Sequence, residues 1–167
     1  MEWVPGTSVT CFMGQVAHRG EETKVVFERM SREFEQMALW LLDQPFAHGD
    51  LKPDNLIVRT DPQGNDQLVL IAYDGLYLPD MAGERARETG TEGFRHPSRS
   101  ENGFGKWIDD YSIALLSLSF RALARYPELY PRFHEAGLLI FRPEGILVGT
   151  CPAYHFLLHT ELANDPL

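Results

Sequence analysis

Residues 46–58 read FAHGDLKPDNLIV, with an unusual density of chemically active side chains between two apolar runs. Asp50 can accept a hydroxyl proton, and Lys52, two positions later in an extended segment, projects to the same side and can neutralise an oxyanion. Asn55 and Asp74 add oxygen donors of the kind that Mg²⁺ prefers, one from each arm of a predicted hairpin. A base, a cation and metal ligands together predict phosphoryl transfer, in which positioning and charge stabilisation dominate catalysis.

The overall composition is typical of a globular protein with one core. The chain has 167 residues, of which 44% are hydrophobic and 23% are charged. It contains no apolar run of about 18 residues, and its first residues do not resemble a secretory signal. We therefore expect a cytoplasmic protein without a membrane partner. The formal net charge of −9 argues against a nucleic-acid binder, because such proteins need a basic surface to cover phosphates.

The periodicity of the apolar residues predicts an α+β fold that is mainly helical. An amphipathic helix is predicted over 24–43, where apolar side chains recur at spacings of three and four. Residues 56–58 and 68–73 are predicted to form a short antiparallel hairpin. The segment 109–125 is apolar or small on nearly every side, which indicates a helix enclosed by the domain, with Asp109 or Asp110 as its cap.

Other parts of the chain have weaker patterns. Residues 1–6 favour a short strand, and 7–22 show no regular pattern. Residues 76–108 are rich in glycine, proline and charge, and so long a segment without regular structure indicates a functional or mobile loop. Short helices are expected near 126–133 and 153–162.

The motifs in their order along the chain resemble those of the protein kinase superfamily. The catalytic loop of that family reads H-R-D-L-K-x-x-N, and a strand hairpin follows it and leads to D-F-G. HGDLKPDN matches this pattern except that Gly49 stands in place of the arginine. MEWVPG looks like the hinge that meets adenine, YDG like the metal-binding turn, GTEGFRHP like the end of the activation segment, and IDDYSIALLSL like the buried helix of the large lobe. More narrowly, the chain looks like bacterial kinase-like proteins with HGDLKPDN and Y-D-G sequences.

The resemblance implies roles for the residues of the loop and the hairpin. Asp50 would orient or deprotonate the substrate hydroxyl, and Lys52 would be a cation on the transferred phosphoryl group. Asn55 and Asp74 would bind Mg²⁺. His48 would be a structural residue that holds the loop and the metal-binding turn together.

The resemblance also implies residues for ATP binding and for support of the site. Main-chain groups of Glu2 and Val4 would meet the adenine edge, with Ile57 beneath the ring. Thr91 would brace Asp50 and Lys52, and Asp109 would tie the backbone of the loop to the buried helix.

On this interpretation residues 1–167 form a single domain like the C-terminal lobe of a kinase. Its parts are a hinge-like segment (1–6), the catalytic loop and metal turn (46–75), a loop like the activation segment (76–98) and the buried helix (109–125). No Gly-rich phosphate loop, strand lysine or helix glutamate precedes the hinge-like segment, so we expect the small lobe to be missing and the chain alone to be incomplete.

Two further departures from the kinase pattern affect the expected regulation. Gly75 and Leu76 stand where the pattern has Phe and Gly, so the packing that switches many kinases is not expected here. With Gly49 in place of arginine, no basic group is expected beside Asp50 to bind a phosphorylated Thr89 or Thr91.

Three functions fit the sequence, and the first is the leading hypothesis. It is ATP-dependent phosphoryl transfer to serine or threonine hydroxyls of a protein substrate, with Mg²⁺. The second is a non-catalytic, pseudokinase-like module whose exposed interlobe surface binds another polypeptide, such as a separately encoded small lobe. The third is phosphoryl transfer to a small molecule, as in antibiotic kinases that also contain H-G-D.

Overall fold

Helices and a small antiparallel sheet make up the part of the chain that the structure, a computed structural model, describes: residues 4–135, 137–142, 145–146 and 148–160. The elements follow in the order β1 (Thr7–Ser8), α1 (Val9–Val16), α2 (Glu21–Asp43), β2 (Leu56–Thr60), β3 (Asp66–Leu70), α3 (Asp110–Arg125), α4 (Leu129–Phe133) and α5 (Pro152–Leu158). Short 3-10 turns lie at Pro53–Asn55, Tyr73–Gly75 and Pro79–Met81. This mixed, mainly helical architecture agrees with the predicted α+β class and is consistent with a kinase-like lobe.

Helix α2 confirms the predicted amphipathic helix and begins three residues earlier than the apolar pattern indicates. Its buried side chains recur at spacings of three and four along one face: Thr23, Val26, Phe27, Met30, Phe34, Ala38 and Leu41. Glu21 and Glu22 in the first turn complement the positive end of the helix dipole. The helix ends at Asp43, and the next residue, Gln44, has the extended backbone that the following Pro45 requires.

Helix α3 is enclosed, as its sequence predicts, and packs along α2. Eight of its residues are buried: Ser112, Ile113, Leu115, Leu116, Ser119, Phe120, Ala122 and Leu123. The rings of Phe34 and Phe120 stack between the two helices at 4.9 Å. Burying one such side chain contributes about 1.5–3 kcal/mol. The hydroxyl groups of the two buried serines donate to backbone carbonyls, so α3 is enclosed without unpaired hydroxyls at these positions.

Helix α1 corrects the interpretation of residues 7–22 as irregular. Ser8 caps the helix by accepting the N–H of Cys11 at 3.4 Å, and Val9, Met13 and Val16 form its buried face. The helical spacing was present in the sequence, but it spans only two turns. A short run of this kind with β-branched residues is ambiguous by periodicity alone.

The sheet is antiparallel, in the order β1-β2-β3 among the described residues. The predicted hairpin is confirmed as β2 and β3, with Leu56 opposite Leu70 and Thr60 opposite Asp66. Strand β3 ends at Leu70, so residues 71–73 of the predicted strand lie outside it. The strand predicted for 1–6 is not observed in 4–6, and its first three residues lie outside the described ones. Strand β1 begins instead at Thr7, which pairs with Val58.

The hairpin is joined to α2 by an ion pair in which the carboxylate is buried and the arginine is partly exposed. Asp66 is 7% exposed, and one of its oxygens accepts Arg29 while the other accepts the hydroxyl of Thr60 at 2.6 Å. The carboxylate therefore fixes the strand end and the helix relative to each other.

The long segment 76–108 is ordered by contacts and not by regular elements, apart from one 3-10 turn. A small apolar cluster of Ala47, Tyr77 and Ile108 lies at its two ends, with Met81 and Phe104 packed against it. Within the segment, the N–H of Ala86 donates to the carbonyl of Glu101 at 2.8 Å. This hydrogen bond joins two parts of the segment to each other, and the apolar cluster packs its ends against the loop that contains Ala47.

The short helices α4 and α5 correspond to those expected near 126–133 and 153–162. None of the helices in the described part of the chain has the length and apolar content needed to cross a membrane.

Candidate functional site

The loop from Phe46 to Asn55 is held at its start by the chain that follows the hairpin. Ala47 and Tyr77 exchange backbone hydrogen bonds of 3.1 and 2.8 Å. Two residues later, Gly49 has a φ of +86°, a conformation that L side chains rarely adopt. A Cβ at this position would lie 2.0 Å from the carbonyl oxygen of Gly75. The loop and the Tyr73–Gly75 turn are therefore in backbone contact, which only glycine permits.

Asp109 anchors the backbone of the loop. It occupies the N-cap position of α3, but its side chain makes no capping hydrogen bond, so the capping prediction is wrong for this residue. Its carboxylate accepts the N–H groups of His48 at 2.5 Å and Gly49 at 2.9 Å instead. Burial raises the pKa of Asp109, and the hydrogen bonds from Gly49 and His48 act in the opposite direction.

Three polar residues surround the side chain of Asp50. One carboxylate oxygen accepts the backbone N–H of Thr91 at 2.6 Å. The other lies 3.2 Å from the ammonium nitrogen of Lys52 and accepts the side-chain amide of Asn55 at 3.1 Å. Lys52 also donates to the hydroxyl of Thr91 at 2.8 Å. The predicted residues Asp50, Lys52, Asn55 and Thr91 are thus brought together, although Thr91 is 41 positions from Asp50.

The surroundings of Asp50 keep it ionised. Burial alone would raise the pKa of its carboxyl group, but hydrogen bonds from Thr91 and Lys52, and the charge of Lys52, outweigh burial and lower the pKa below its ordinary value. A carboxylate with a lowered pKa is a weak base. The arrangement is therefore suited to orienting a hydroxyl group and accepting its proton late in a reaction.

His48 links the loop to the strand that leads to Asp74. Its ring is fully buried, and its Nδ1 accepts the N–H of Asp50 at 3.3 Å. The proton of the ring is then on Nε2, which donates to the carbonyl oxygen of Ile71 at 2.8 Å. In the same place, the N–H of Ile71 donates to the carbonyl oxygen of Asn55 at 3.0 Å. Both ring nitrogens of His48 are therefore engaged in contacts that join the loop to the chain after β3.

The two predicted metal ligands are presented at the same end of the hairpin. Asn55 precedes β2, and Asp74 lies in the 3-10 turn that follows β3. The amide nitrogen of Asn55 donates to the backbone carbonyl of Asp50 at 2.8 Å, so its carbonyl oxygen is left for another partner. Asp74 is exposed. Oxygen donors of this kind fit Mg²⁺.

This donor set is sparse, which also suits Mg²⁺ bound together with a phosphate. Within the described residues, no group of three or more His, Cys, Asp or Glu side chains could hold a metal ion. Mg²⁺ commonly keeps several waters and is bound by one or two protein ligands plus phosphate oxygens.

The residues predicted for adenine binding are only partly described. Glu2 lies outside the described residues, and Val4 is half-buried. Ile57 is in β2, between Ser8 of β1 and Val69 of β3. A Cβ on Gly6 would lie 2.5 Å from the side chain of Ile57, so the chain after Val4 passes directly over this residue.

Two arginines near the loop were missed by the sequence analysis. Arg99 donates to the carbonyl oxygen of Gly49 at 2.6 Å, and Arg95 donates to the hydroxyl of Thr89. The sequence analysis expected no basic group beside Asp50 to bind a phosphorylated Thr89 or Thr91, and Arg95 places a cation next to the hydroxyl of Thr89. Neither arginine belongs to a periodic pattern, and the glycine at position 49, where the kinase pattern has arginine, was the one signal in the sequence that pointed to a cation from another segment.

Comparison with known proteins gives weak but consistent similarities to one kind of enzyme. No protein-family model matches the chain. Calcium/calmodulin-dependent protein kinase type 1 of Caenorhabditis briggsae is 27% identical over 131 residues, which is 78% of this chain and 35% of the relative. The protein of the same name from Macrobrachium nipponense is 26% identical over 117 residues, covering 70% of this chain and 33% of the relative. That from Caenorhabditis elegans is 27% identical over 131 residues, covering 78% and 36%.

These similarities support a protein-kinase-like relationship. The relatives are named protein kinases, and the similarity goes no further than that relationship. The chain spans about a third of the length of the curated relatives it matches.

Proposed function

We propose that this lobe performs ATP-dependent phosphoryl transfer to serine or threonine hydroxyls of a protein. The single observation that best supports the proposal is the arrangement around Asp50. One of its oxygens is held by the N–H of Thr91, and the other faces Lys52 and Asn55. A carboxylate, a cation and an amide oxygen so close together are the groups that phosphoryl transfer requires.

In the proposed reaction Asp50 accepts a hydrogen bond from the substrate hydroxyl and aims its oxygen at the γ-phosphorus of ATP. The new oxygen–phosphorus bond forms while the bond from that phosphorus to the bridging oxygen breaks, and ADP leaves with the bond's electron pair. The hydroxyl proton passes to Asp50 as the new bond forms. Lys52 is within reach of the same site and offsets the negative charge of the transferred group.

Asn55 and Asp74 would hold Mg²⁺ on the nucleotide side of the site. When bound, the ion neutralises charge on the phosphate oxygens of ATP. The carbonyl oxygen of Asn55 is aimed by its amide, which is engaged with Asp50. The metal ligand and the hydroxyl-orienting residue are therefore positioned by the same contact.

We further propose that the 167-residue chain acts together with a small lobe supplied by another polypeptide segment. The 167 residues contain no Gly-rich loop with the kinase pattern and no lysine on a preceding strand. Without these groups, half of the phosphate-binding surface is missing, so the chain alone is proposed to bind nucleotide weakly and to turn over little. The narrower likeness to bacterial kinase-like proteins and the cytoplasmic location remain predictions.

The direct test is transfer of labelled γ-phosphate from Mg·ATP to a library of serine and threonine peptides. We expect Asp50→Asn to lower the rate by at least about 100-fold. Asp54→Asn, at an exposed position in the same loop, should leave it unchanged. Equal rates for the two variants, under conditions in which the wild-type protein transfers phosphate measurably, would contradict the proposed role of Asp50. Phosphate transfer to an aminoglycoside and not to peptides would favour the small-molecule alternative.

The metal ligands can be tested separately by binding. Mn²⁺·ATP affinity, followed by water proton relaxation, should fall in Asn55→Ala and in Asp74→Ala and stay unchanged in Asp54→Ala. Unchanged affinity in the first two variants would remove these residues from the metal site.

A non-catalytic interaction module remains the second candidate, and one surface favours it. A recess of about 430 Å³ lies between α2 and β3, and its lining includes Met37, Phe46 and Leu70. Trp40 and Tyr73, which also line it, are 54% and 52% exposed. Exposed aromatic residues around an apolar recess are typical of protein-binding surfaces. Loss of partner binding in Trp40→Ala, with no phosphate transfer by the wild-type protein, would support this function over the first.

A further inference from the structure

Arg99 holds the peptide group that presents Asp50. Its Nη1 donates to the carbonyl oxygen of Gly49 at 2.6 Å, while the N–H of Gly49 donates to Asp109 at 2.9 Å. Both polar backbone groups of Gly49 are therefore bound by charged side chains, one 50 and the other 60 positions later in the chain. The residue that follows is Asp50, so its position depends directly on these two contacts.

The guanidinium group has to come from outside the loop. Gly49 has a φ of +86°, and a Cβ there would be 2.0 Å from the carbonyl oxygen of Gly75. This backbone cannot accept an arginine at position 49, where the H-R-D pattern has one. Arg99 approaches the same peptide group from segment 76–108 instead. A Cβ on Gly90 would lie 3.0 Å from its Nη1, so the space around the guanidinium is closely filled.

The charges around Arg99 match a role in holding the loop. Burial lowers its pKa, while Asp109 and Asp50 raise it and Arg95 lowers it. Because an arginine titrates far above neutral pH, the group remains a cation between two carboxylates of the site. Its Nε and Nη2 are buried without a hydrogen-bond partner among the described residues. Buried unpaired N–H groups cost free energy, so stability alone does not explain this residue.

We propose that Arg99 is a positioning residue for phosphoryl transfer, which sets the place of Asp50 through the carbonyl group of Gly49. This proposal rests on the function proposed above. Arg99 acts through the loop and not on the substrate. Its removal should therefore lower the rate of the chemical step and leave the binding of ATP and peptide nearly unchanged.

The kinetic test compares Arg99→Ala, Arg99→Lys and the control Arg32→Ala in the full chain. Arg32 is exposed on α2. We expect Arg99→Ala to lower kcat by about tenfold or more with KM changed less than about twofold. Added guanidinium ion should restore part of kcat to Arg99→Ala and none to Asp50→Asn. Arg99→Lys should retain more activity than Arg99→Ala. A rise in KM at constant kcat, or no rescue by guanidinium, would overturn the proposal.

A spectroscopic test separates failure of this inference from failure of the proposed function. In Arg99→Ala, the amide nitrogen signal of Asp50 should shift and the carboxyl ¹³C signal of Asp109 should titrate at a higher pH, because a nearby cation is lost. Arg32→Ala should change neither signal. If both signals are unchanged in Arg99→Ala, Arg99 does not position the loop, whether or not the wild-type protein transfers phosphate. If they shift and the wild-type protein transfers no phosphate, the contact is established and its catalytic role is overturned.

Discussion

The carboxylate of Asp109 accepts the backbone N–H of Gly49 at 2.9 Å and thereby joins the start of α3 to a loop 60 positions earlier in the chain. Asp109 is 3% exposed, so this contact is shielded from water. In Asp109→Asn, an NH₂ group would face one of two backbone N–H donors, and that donor would be left unpaired. We expect a loss of about 1–3 kcal/mol in the free energy of unfolding, measured with urea. The neighbouring Asp110→Asn, at an exposed position, should lose less than about 1 kcal/mol, and equal losses would contradict the anchoring role of Asp109.

The close approach of Gly49 to Gly75 can be tested with a matched pair of glycines. Gly49 and Gly64 both have a φ of +86°, but a Cβ at Gly64 would have no atom within 4 Å. Gly64→Ala should cost about 1–2 kcal/mol from backbone strain alone. Gly49→Ala should cost at least about 1–3 kcal/mol more, because its Cβ would meet the backbone of Gly75. Equal unfolding free energies in the two variants would show that the loop and the turn can separate freely.

The ion pair between Arg29 and Asp66 should contribute more to the free energy of unfolding than an exposed ion pair does. Arg29 is 34% exposed and Asp66 only 7%, so Arg29→Met leaves a buried carboxylate without its cation. We expect a loss of about 1–3 kcal/mol in the free energy of unfolding. Arg32→Met, on an exposed part of the same helix, should stay within about 0.5 kcal/mol of the wild type. A double variant with Asp66→Asn should recover part of the loss, and additive losses would contradict a direct pairing.

The lowered pKa of Asp50 predicts how this residue contributes to stability as pH changes. Its folded-state pKa lies below the ordinary value of 3.8. The contribution is therefore complete above that ordinary value and is lost as the pH falls through the lower folded pKa. In Thr91→Val the hydroxyl that helps to lower the pKa is removed, so the carboxyl ¹³C signal of Asp50 should titrate at a higher pH. Thr150→Val, at an exposed position, is the control, and the same titration in both variants would disprove the role of Thr91.

Regular patterns allowed much of the fold to be predicted from the sequence. The spacing of Val26, Phe27, Met30 and Phe34 repeats over enough turns to identify α2, and the apolar runs around the polar turn identify the hairpin. Helix α1 was missed because two turns do not give a clear period. The order of segment 76–108 was also missed, because it depends on contacts of Tyr77 and Ile108 with Ala47 that no local pattern reveals.

The sequence allowed most residues of the candidate site to be predicted, but not the contacts between them. The chemistry of Asp50 and Lys52 could be inferred from their types and spacing, and the resemblance to kinases added Thr91 and Asp109. Arg99 could not be found in this way, since its contact with Gly49 joins residues 50 positions apart. Contacts between residues so far apart in sequence depend on the tertiary fold, and the local periodicity of the sequence does not predict them.

The contacts of segment 76–108 also have a consequence for how the protein unfolds. Thr91 and Arg99 bind the loop at Asp50 and Gly49, and Asp109 binds it from the start of α3. The site is therefore complete only when more than 30 residues of irregular chain are in place. An opening that releases this segment alone removes Thr91 and Arg99 from the loop, while α2 and the hairpin remain folded and Asp109 stays at the start of α3. Loss of the site should then precede global unfolding, and protease cleavage between 76 and 108 should be its first sign.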